Sequence, residues 1–360
     1  MDVRAGIVAR SGAAVILGTA AHPFRPFEDW IRVVHLVEEL GYGMTCQSAN
    51  PLSRGDPYVE LGTAARETKS LLLATTVAVP APANPAVMAA SIATVNRISG
   101  GRAVLGVGRG VATARQLGER GLTTGQLEEY VRALRALLAG DEATWQGTPM
   151  RLGWVERAPD RPVPVILAAY GPRTLRLAGR CADGVLVASA VGGQVLRDAI
   201  TAVRDSAREA GRDPRELAIW VMGRASVADS ADEALSDLKA ILAGAGRQLD
   251  SRDPELPDDL RPAIAELKKR YVESDHVVPG GANDALIEEL GLVGYLAGRF
   301  AIAGSAAQCR RQLQELADLG VDCVFLNGAM RNEERMIVSM AEKVGVSFTA
   351  STRGAGPADR

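Results

Sequence analysis

Residues Val163–Val187 read VPVILAAYGPRTLRLAGRCADGVLV. Val163, Val165, Ile166 and Leu167 form a short apolar run, as a strand buried on both faces would. Ala168-Ala169-Tyr170-Gly171 leaves that strand on small residues, and Pro172 suits the first turn of a helix, where a missing N–H costs nothing. Leu175 and Ala178 fall on one side of the helix, Asp183-Gly184 breaks it, and Val185-Leu186-Val187 opens a second strand. Connections this short make a βαβ unit with parallel strands. The small residues before Gly171 let a ligand approach the backbone, and the helix start favours an anion or a polarised oxygen. The plainer reading of Ala-Ala-x-Gly is tight packing of helix on strand.

Apolar runs and helical patterns alternate through the rest of the chain. Val3–Ala9 is the first run, and Trp30, Val33, Val34, Val37 and Leu40 mark a helix that ends at Gly41. Tyr42–Gln47 reads as the second strand, Tyr58–Thr68 as a helix, and Leu71–Val79 as a β-branched third strand. Ala86–Ile98 is a helix stopped by Gly100-Gly101, and Ala103–Val107 is the fourth strand. Leu127, Tyr130, Val131, Leu134, Leu137 and Leu138 make a helix face ahead of the βαβ unit. Asp183–Ser189 is the sixth strand, Leu196–Ala210 a helix and Leu217–Val227 the seventh strand. A helix carrying Cys309, Leu313 and Leu316 precedes the eighth, Val321–Asn327.

Eight strands, each followed by a helix, make an α/β protein of the (β/α)8 TIM-barrel type. A doubly wound open sheet is the alternative. It lacks G-x-G-x-x-G after the first strand, and Gly106-Val107-Gly108-Arg109-Gly110 has no third glycine in the right place. Ala231–Phe300, between strands seven and eight, is expected to be a helical insertion at the barrel rim, with one helix near Ile264–Tyr271. The expected organisation is one barrel domain over residues 1–350, with 231–300 as its insertion, and a disordered tail at 351–360.

Composition narrows the function. The chain has 360 residues, 47% hydrophobic, and a formal net charge of −2, so nothing points to nucleic acid or a membrane surface. No apolar run is long enough to span a bilayer, and MDVRAGIVARSGAAVIL looks like a first strand, not a signal peptide. Cys46, Cys181, Cys309 and Cys323 are scattered among apolar neighbours without metal or disulfide spacing, as in a reduced cytoplasmic protein. Only His22, His35 and His276 are present, so no metal site is expected.

In a barrel, the chemistry sits at the C-terminal ends of the strands. Those ends show no carboxylate pair, no nucleophile–base set and no P-loop. A site of small, neutral residues and bare backbone fits a large planar cofactor. His22 is the candidate general acid, with a loop histidine of no task as the alternative. Arg109, between two glycines, could hold a phosphate or carboxylate, or be a solvated arginine. Tyr170 could stack on a ring or simply pack.

ANPAVMAASIATVNRISGGRAVLGVGRG (Ala83–Gly110), followed by PVPVILAAYGPRTLRLAGRCADGVLV, resembles the luciferase-like flavin/deazaflavin oxidoreductases. The likeness is closest to the coenzyme F420-dependent branch typified by methylenetetrahydromethanopterin reductase. It continues in AGSAAQCRRQLQELADLGVD (Ala303–Asp322). The resemblance implies a barrel, a cofactor at its C-terminal mouth, and hydride transfer between F420 and a small organic C=C, C=N or C=O acceptor. It also implies a non-prolyl cis peptide at Thr76–Val77, where the cofactor ring lies. The cofactor-binding set it implies is Thr76, Val77, Gly108, Arg109, Gly110, Ala168, Ala169, Tyr170 and Gly171. A homodimer is implied as well. Two positions depart from the pattern: Gln47-Ser48-Ala49 replaces an Asp-His common after strand two, and Val111 replaces a carboxylate found in several F420 dehydrogenases. The alternatives are an FMN-dependent monooxygenase served by a partner flavin reductase, and a non-catalytic flavin-binding barrel.

Overall fold

The structure, a computed structural model, describes residues 14–20, 26–52, 55–81, 83–157, 159–160, 162–249, 253, 255–275, 278–327 and 333–349. Val3–Ala9, His22, His276 and the 351–360 tail lie outside these residues.

In chain order the elements begin β1 (Ala14–Ala20), α1 (Phe27–Glu39), β2 (Met44–Gln47), α2 (Pro57–Glu67), β3 (Leu72–Thr75), α3 (Pro85–Ile98) and β4 (Ala103–Val107). They continue with α4 (Val111–Gln116), α5 (Thr124–Leu138), the hairpin β5 (Ala143–Trp145) and β6 (Thr148–Met150), β7 (Val165–Ala169), α6 (Pro172–Cys181), β8 (Gly184–Val187), α7 (Gly193–Glu209) and β9 (Ala218–Val227). Next come α8 (Ala231–Ser236), α9 (Lys239–Arg247), α10 (Arg261–Arg270), α11 (Ala282–Glu289), α12 (Val293–Phe300) and β10 (Ala301–Gly304). The last elements are α13 (Ala306–Asp318), β11 (Cys323–Asn327), α14 (Glu333–Ser339), a π turn at Met340–Val344 and β12 (Ser347–Thr349).

Strands β1, β2, β3, β4, β7, β8, β9 and β11 pair in that order, all parallel, and β11 returns to β1. The ring is closed, which makes the (β/α)8 barrel. Alternation along the strands divides the core in two. Ile16, Met44, Leu72, Ile166, Trp220 and Phe325 fill the barrel, while Leu17, Leu73, Leu105 and Val165 face the helical layer.

Four differences from the sequence reading bear on the barrel. The barrel's first strand is Ala14–Ala20, the end of the opening stretch and not its beginning. The third strand stops at Thr75, because the backbone then turns at a cis Thr76–Val77 bond. The β5–β6 hairpin was not legible; its turn places Gln146 at φ +50° and Gly147 at φ +78°. Residues 231–300 hold five α-helices, and β10 lies beside the end of β9, outside the ring.

Buried charges tie the N-terminal end of the barrel together. Arg102, just before β4, is 7% exposed. It donates five hydrogen bonds: Nη1 to Thr68 Oγ1 (2.9 Å) and the Leu71 carbonyl (2.8 Å), Nη2 to the Ala65 and Thr68 carbonyls (2.8 Å each), and Nε to the Ser99 carbonyl (3.0 Å). Asp183 accepts from the Val165 N–H (2.9 Å) and Arg135 Nε (2.9 Å), and Asp322 accepts from the Ile219 N–H (2.8 Å). These contacts fix where β4, β7 and β9 begin, and so how high their other ends stand.

Candidate functional site

A cavity of about 1300 Å³ opens where β3, β4 and β7 end. Its wall includes Val77, Gly108, Arg109, Gly110, Ala168, Tyr170 and Gly171. Seven of the residues expected from sequence therefore share one space. Thr76 and Ala169 are not on the wall; Ala169 is buried, and its carbonyl accepts from the Ala188 N–H at 3.2 Å. His22, the candidate acid, lies outside the described residues.

The end of β3 builds one side. Thr76–Val77 is a cis peptide, at the bond the resemblance indicated. Thr76 N–H donates to the Gln47 carbonyl (2.7 Å), Ala49 N–H to the Val77 carbonyl (3.1 Å), and Ala78 N–H to the Gly106 carbonyl (2.7 Å). Val77 is thus held between β2 and β4 by backbone alone. A Cβ on Gly108 would stand 2.7 Å from Val77 Cγ2, so only glycine leaves that side chain its place. Gly110 follows at φ +56°, the left-handed turn from which α4 starts.

The start of α6 builds the other side. Gly171 is its extended N-cap, and its carbonyl accepts from the Thr174 (3.1 Å) and Leu175 (3.0 Å) N–H groups. Nothing lies within 4 Å of a Cβ placed on Gly171, so this edge faces open space. Val77 and Ala168 give an apolar floor, and two glycine-bearing loops give a thin wall. That arrangement admits a flat ring against backbone.

The expectation of a neutral site needs correction. Arg109, Arg115, Arg173, Arg247 and Lys268 all line the cavity, and among the described residues no carboxylate does. Arg109 Nε donates to the Leu122 carbonyl (3.2 Å), which aims it from its loop. Arg247 pairs with Glu273 and lies over the Tyr271 ring at 4.6 Å; Lys268 donates to the Leu249 carbonyl. Arg115 and Arg173 are exposed. Only Arg109 was singled out from sequence. Arg173 directly follows Pro172 and was readable there, whereas Arg247 and Lys268 reach the site from the insertion, where no motif marks them.

Tyr170 is on the cavity wall, and Arg224 is buried off it. Arg224 is 5% exposed, and its Nε and Nη1 have no hydrogen-bond partner among the described residues. Its guanidinium lies 5.5 Å from the centre of the Phe300 ring. Burial lowers its pKa and Tyr170 opposes that. Tyr170 is 45% exposed into the cavity. Burial raises its phenol pKa, and the Arg224 charge pulls the other way. Among the described residues, no group of three or more His, Cys, Asp or Glu could hold a metal ion, and no helix is long and apolar enough to cross a membrane.

Residues 3–323 match the family model of the luciferase-like monooxygenases. The chain belongs to that family. Among its luciferase-like relatives is the 5,10-methylenetetrahydromethanopterin reductase of Methanolobus tindarius, 30% identical over 337 residues, which are 89% of this chain and 98% of that one. The F420-dependent glucose-6-phosphate dehydrogenase of Amycolatopsis mediterranei is 25% identical over 78% of this chain and 80% of its own. The barrel also superposes on the coenzyme F420-dependent tetrahydromethanopterin reductase from Methanopyrus kandleri, with a TM-score of 0.72 and 23% identity over 92% of this chain and 99% of that one. These matches agree with the family, fold and F420 branch that the sequence resembled.

Proposed function

We propose that this oxidoreductase uses coenzyme F420 at the cavity between β3, β4 and β7, and transfers a hydride between it and a small organic acceptor. The observation that carries the reading is the wall itself: among the described residues, five cations, no carboxylate, and an apolar floor of Val77 and Ala168. F420 joins a flat deazaflavin to a ribityl phosphodiester and a glutamyl tail, so its ring matches the floor and its several negative charges match the cations. FMN shares the tricyclic outline but carries one phosphate, and is the alternative. A luciferase-like monooxygenase using it would need a partner flavin reductase.

On this reading the loops at Gly108–Gly110 and Ala168–Gly171 hold the ring against Val77. Arg109 and Arg173 take the phosphodiester, and Arg115, Arg247 and Lys268 take the tail. Bound F420 supplies a two-electron hydride donor or acceptor. The protein's part is to place the ring, keep one face open to the acceptor and neutralise the cofactor's charge. His22 remains a candidate contact for cofactor or substrate. A cytoplasmic homodimer is part of the same proposal.

Reduced F420 is mixed with the protein and a panel of unsaturated acceptors, and return of the oxidised cofactor's absorbance is followed. Acceptor-dependent oxidation is expected. Oxidation requiring oxygen and FMN instead would replace this reading with the monooxygenase. Gly171→Trp fills open space without touching the core, and is expected to abolish F420 binding in a folded protein.

A further inference from the structure

The cavity wall offers few groups that can give up a proton. Its five cations include four guanidiniums, which stay charged at any ordinary pH, and Lys268, whose amine is bound to the Leu249 carbonyl. Among the described residues the wall holds neither a carboxylate nor a histidine. Its one phenol is Tyr170. No described residue hydrogen-bonds to that phenol's oxygen.

Strand geometry brings Arg224 to it. Ala218, Trp220 and Met222 alternate along the barrel interior, and Arg224 continues their row. Ile166 and Ala168 do the same on β7, and Tyr170 continues theirs. Ala169 is level with Val187, and Val187 with Val221, which sets Tyr170 level with Met222 across β8 and puts Arg224 one inward position further along β9. Beyond Val187 the chain between them supplies only Ala188, Ser189 and Ala190. A guanidinium buried to 5% exposure with two unmet donors is unfavourable unless a negative charge forms beside it.

We propose that Tyr170 is the acid that protonates the hydride acceptor, and that Arg224 is its positioning residue, a buried charge that stabilises the tyrosinate. This rests on the hydride-transfer reading above and names the acceptor class: a neutral ketone or enone. The acceptor carbon gains the hydride as a new C–H bond. The π pair moves onto the acceptor oxygen (through the conjugated system in an enone). That oxygen takes the proton of Tyr170, and the electron pair left on the phenolate faces Arg224. The tyrosinate regains its proton when the product leaves and water re-enters the cavity. The acceptor is reduced by two electrons and the cofactor oxidised by two. A cationic acceptor needs no such acid, and Arg109, Arg115, Arg173, Arg247, Lys268 and Arg224 all repel it.

The test is a tyrosinate absorbance titration of the cofactor-free protein. The difference between wild type and Tyr170→Phe isolates one phenol. Burial pushes Tyr42, Tyr58 and Tyr130 far up and Tyr271 up to about 12, and the remaining phenol, Tyr295, cancels in the difference. In Arg224→Met the Tyr170 transition is expected to move up by about one unit or more, and Arg224→Lys is expected to restore most of it. Melting curves of each variant establish that it is folded. An unchanged transition in folded Arg224→Met overturns the proposal. With reduced F420 and cyclic enones, Tyr170→Phe is expected to lower kcat by about a hundredfold or more, and Arg224→Met to move the alkaline limb of kcat to higher pH. Wild-type kcat in Tyr170→Phe also overturns it. Failure of wild type to bind F420 would instead sink the proposed function, and leaves the phenol titration to be judged on its own.

Discussion

Arg102 and Arg224 are almost equally buried, at 7% and 5% exposure, at opposite ends of the same barrel. Arg102 donates five hydrogen bonds and joins α2, α3 and β4. Arg224 has two nitrogens with none. Burial alone therefore says nothing about a residue's task; the state of its donors does. The N-terminal end closes its polar accounts with Arg102, Asp183 and Asp322. The C-terminal end gathers five cations around a cavity, of which Arg247 alone has a carboxylate partner among the described residues, an imbalance that suits the proposed anionic ligand.

The largest expected effect is at the closed end. Arg102→Met leaves the Ala65, Thr68, Leu71 and Ser99 carbonyls short of a donor, and should cost at least about 3 kcal/mol in denaturant unfolding. Arg224→Met should keep or raise stability, because it deletes an unpaired buried charge. Equal destabilisation by the two would break the comparison. Asp322→Ala removes the acceptor of the Ile219 N–H and should cost about 1–3 kcal/mol, read as a lower melting point with F420 affinity unchanged.

At the open end, Gly108→Ala drives a methyl into Val77. About 1–3 kcal/mol of overpacking should appear as weaker cofactor binding in a still-folded barrel. Arg173→Ala, at an exposed position, should weaken F420 binding by about 0.5–1 kcal/mol, and the difference should shrink in high salt; a salt-independent difference would point to a role other than charge. The smallest effect concerns acid. Burial raises the Glu38 pKa, but N–H donors at Ser70, Lys69 and Leu71 and the Ser70 hydroxyl outweigh it, so the folded value lies below the usual carboxylate range. Its contribution is present above the unfolded pKa and lost as pH falls through the folded one. Glu38→Gln should flatten the acid side of the stability profile.

Much of the barrel was legible because its strands are short apolar runs punctuated by glycine and proline. Ala103–Val107 was read to the residue, and Pro172 marked the start of α6. β1 was placed too early because Val3–Ala9, despite Arg4, is also a mostly apolar run ahead of Ala14–Ala20. The site was legible where backbone builds it, at Gly108–Gly110 and Ala168–Gly171, since small residues in tight turns leave a local signature. The charges were not. Arg247 and Lys268 lie far along the chain from Gly108, and meet it only because α9 and α10 fold over the cavity. Arg224 stood at the end of a predicted strand, but the sequence holds no sign that its donors go unmet.

The central claim is an anionic deazaflavin at the cationic mouth. Paired equilibrium titrations with F420 and with FMN, followed by fluorescence at low and high salt, test it most directly. Tight F420 binding that weakens with salt, with FMN bound more weakly, is the predicted result. FMN bound more tightly than F420, or neither bound, would contradict it.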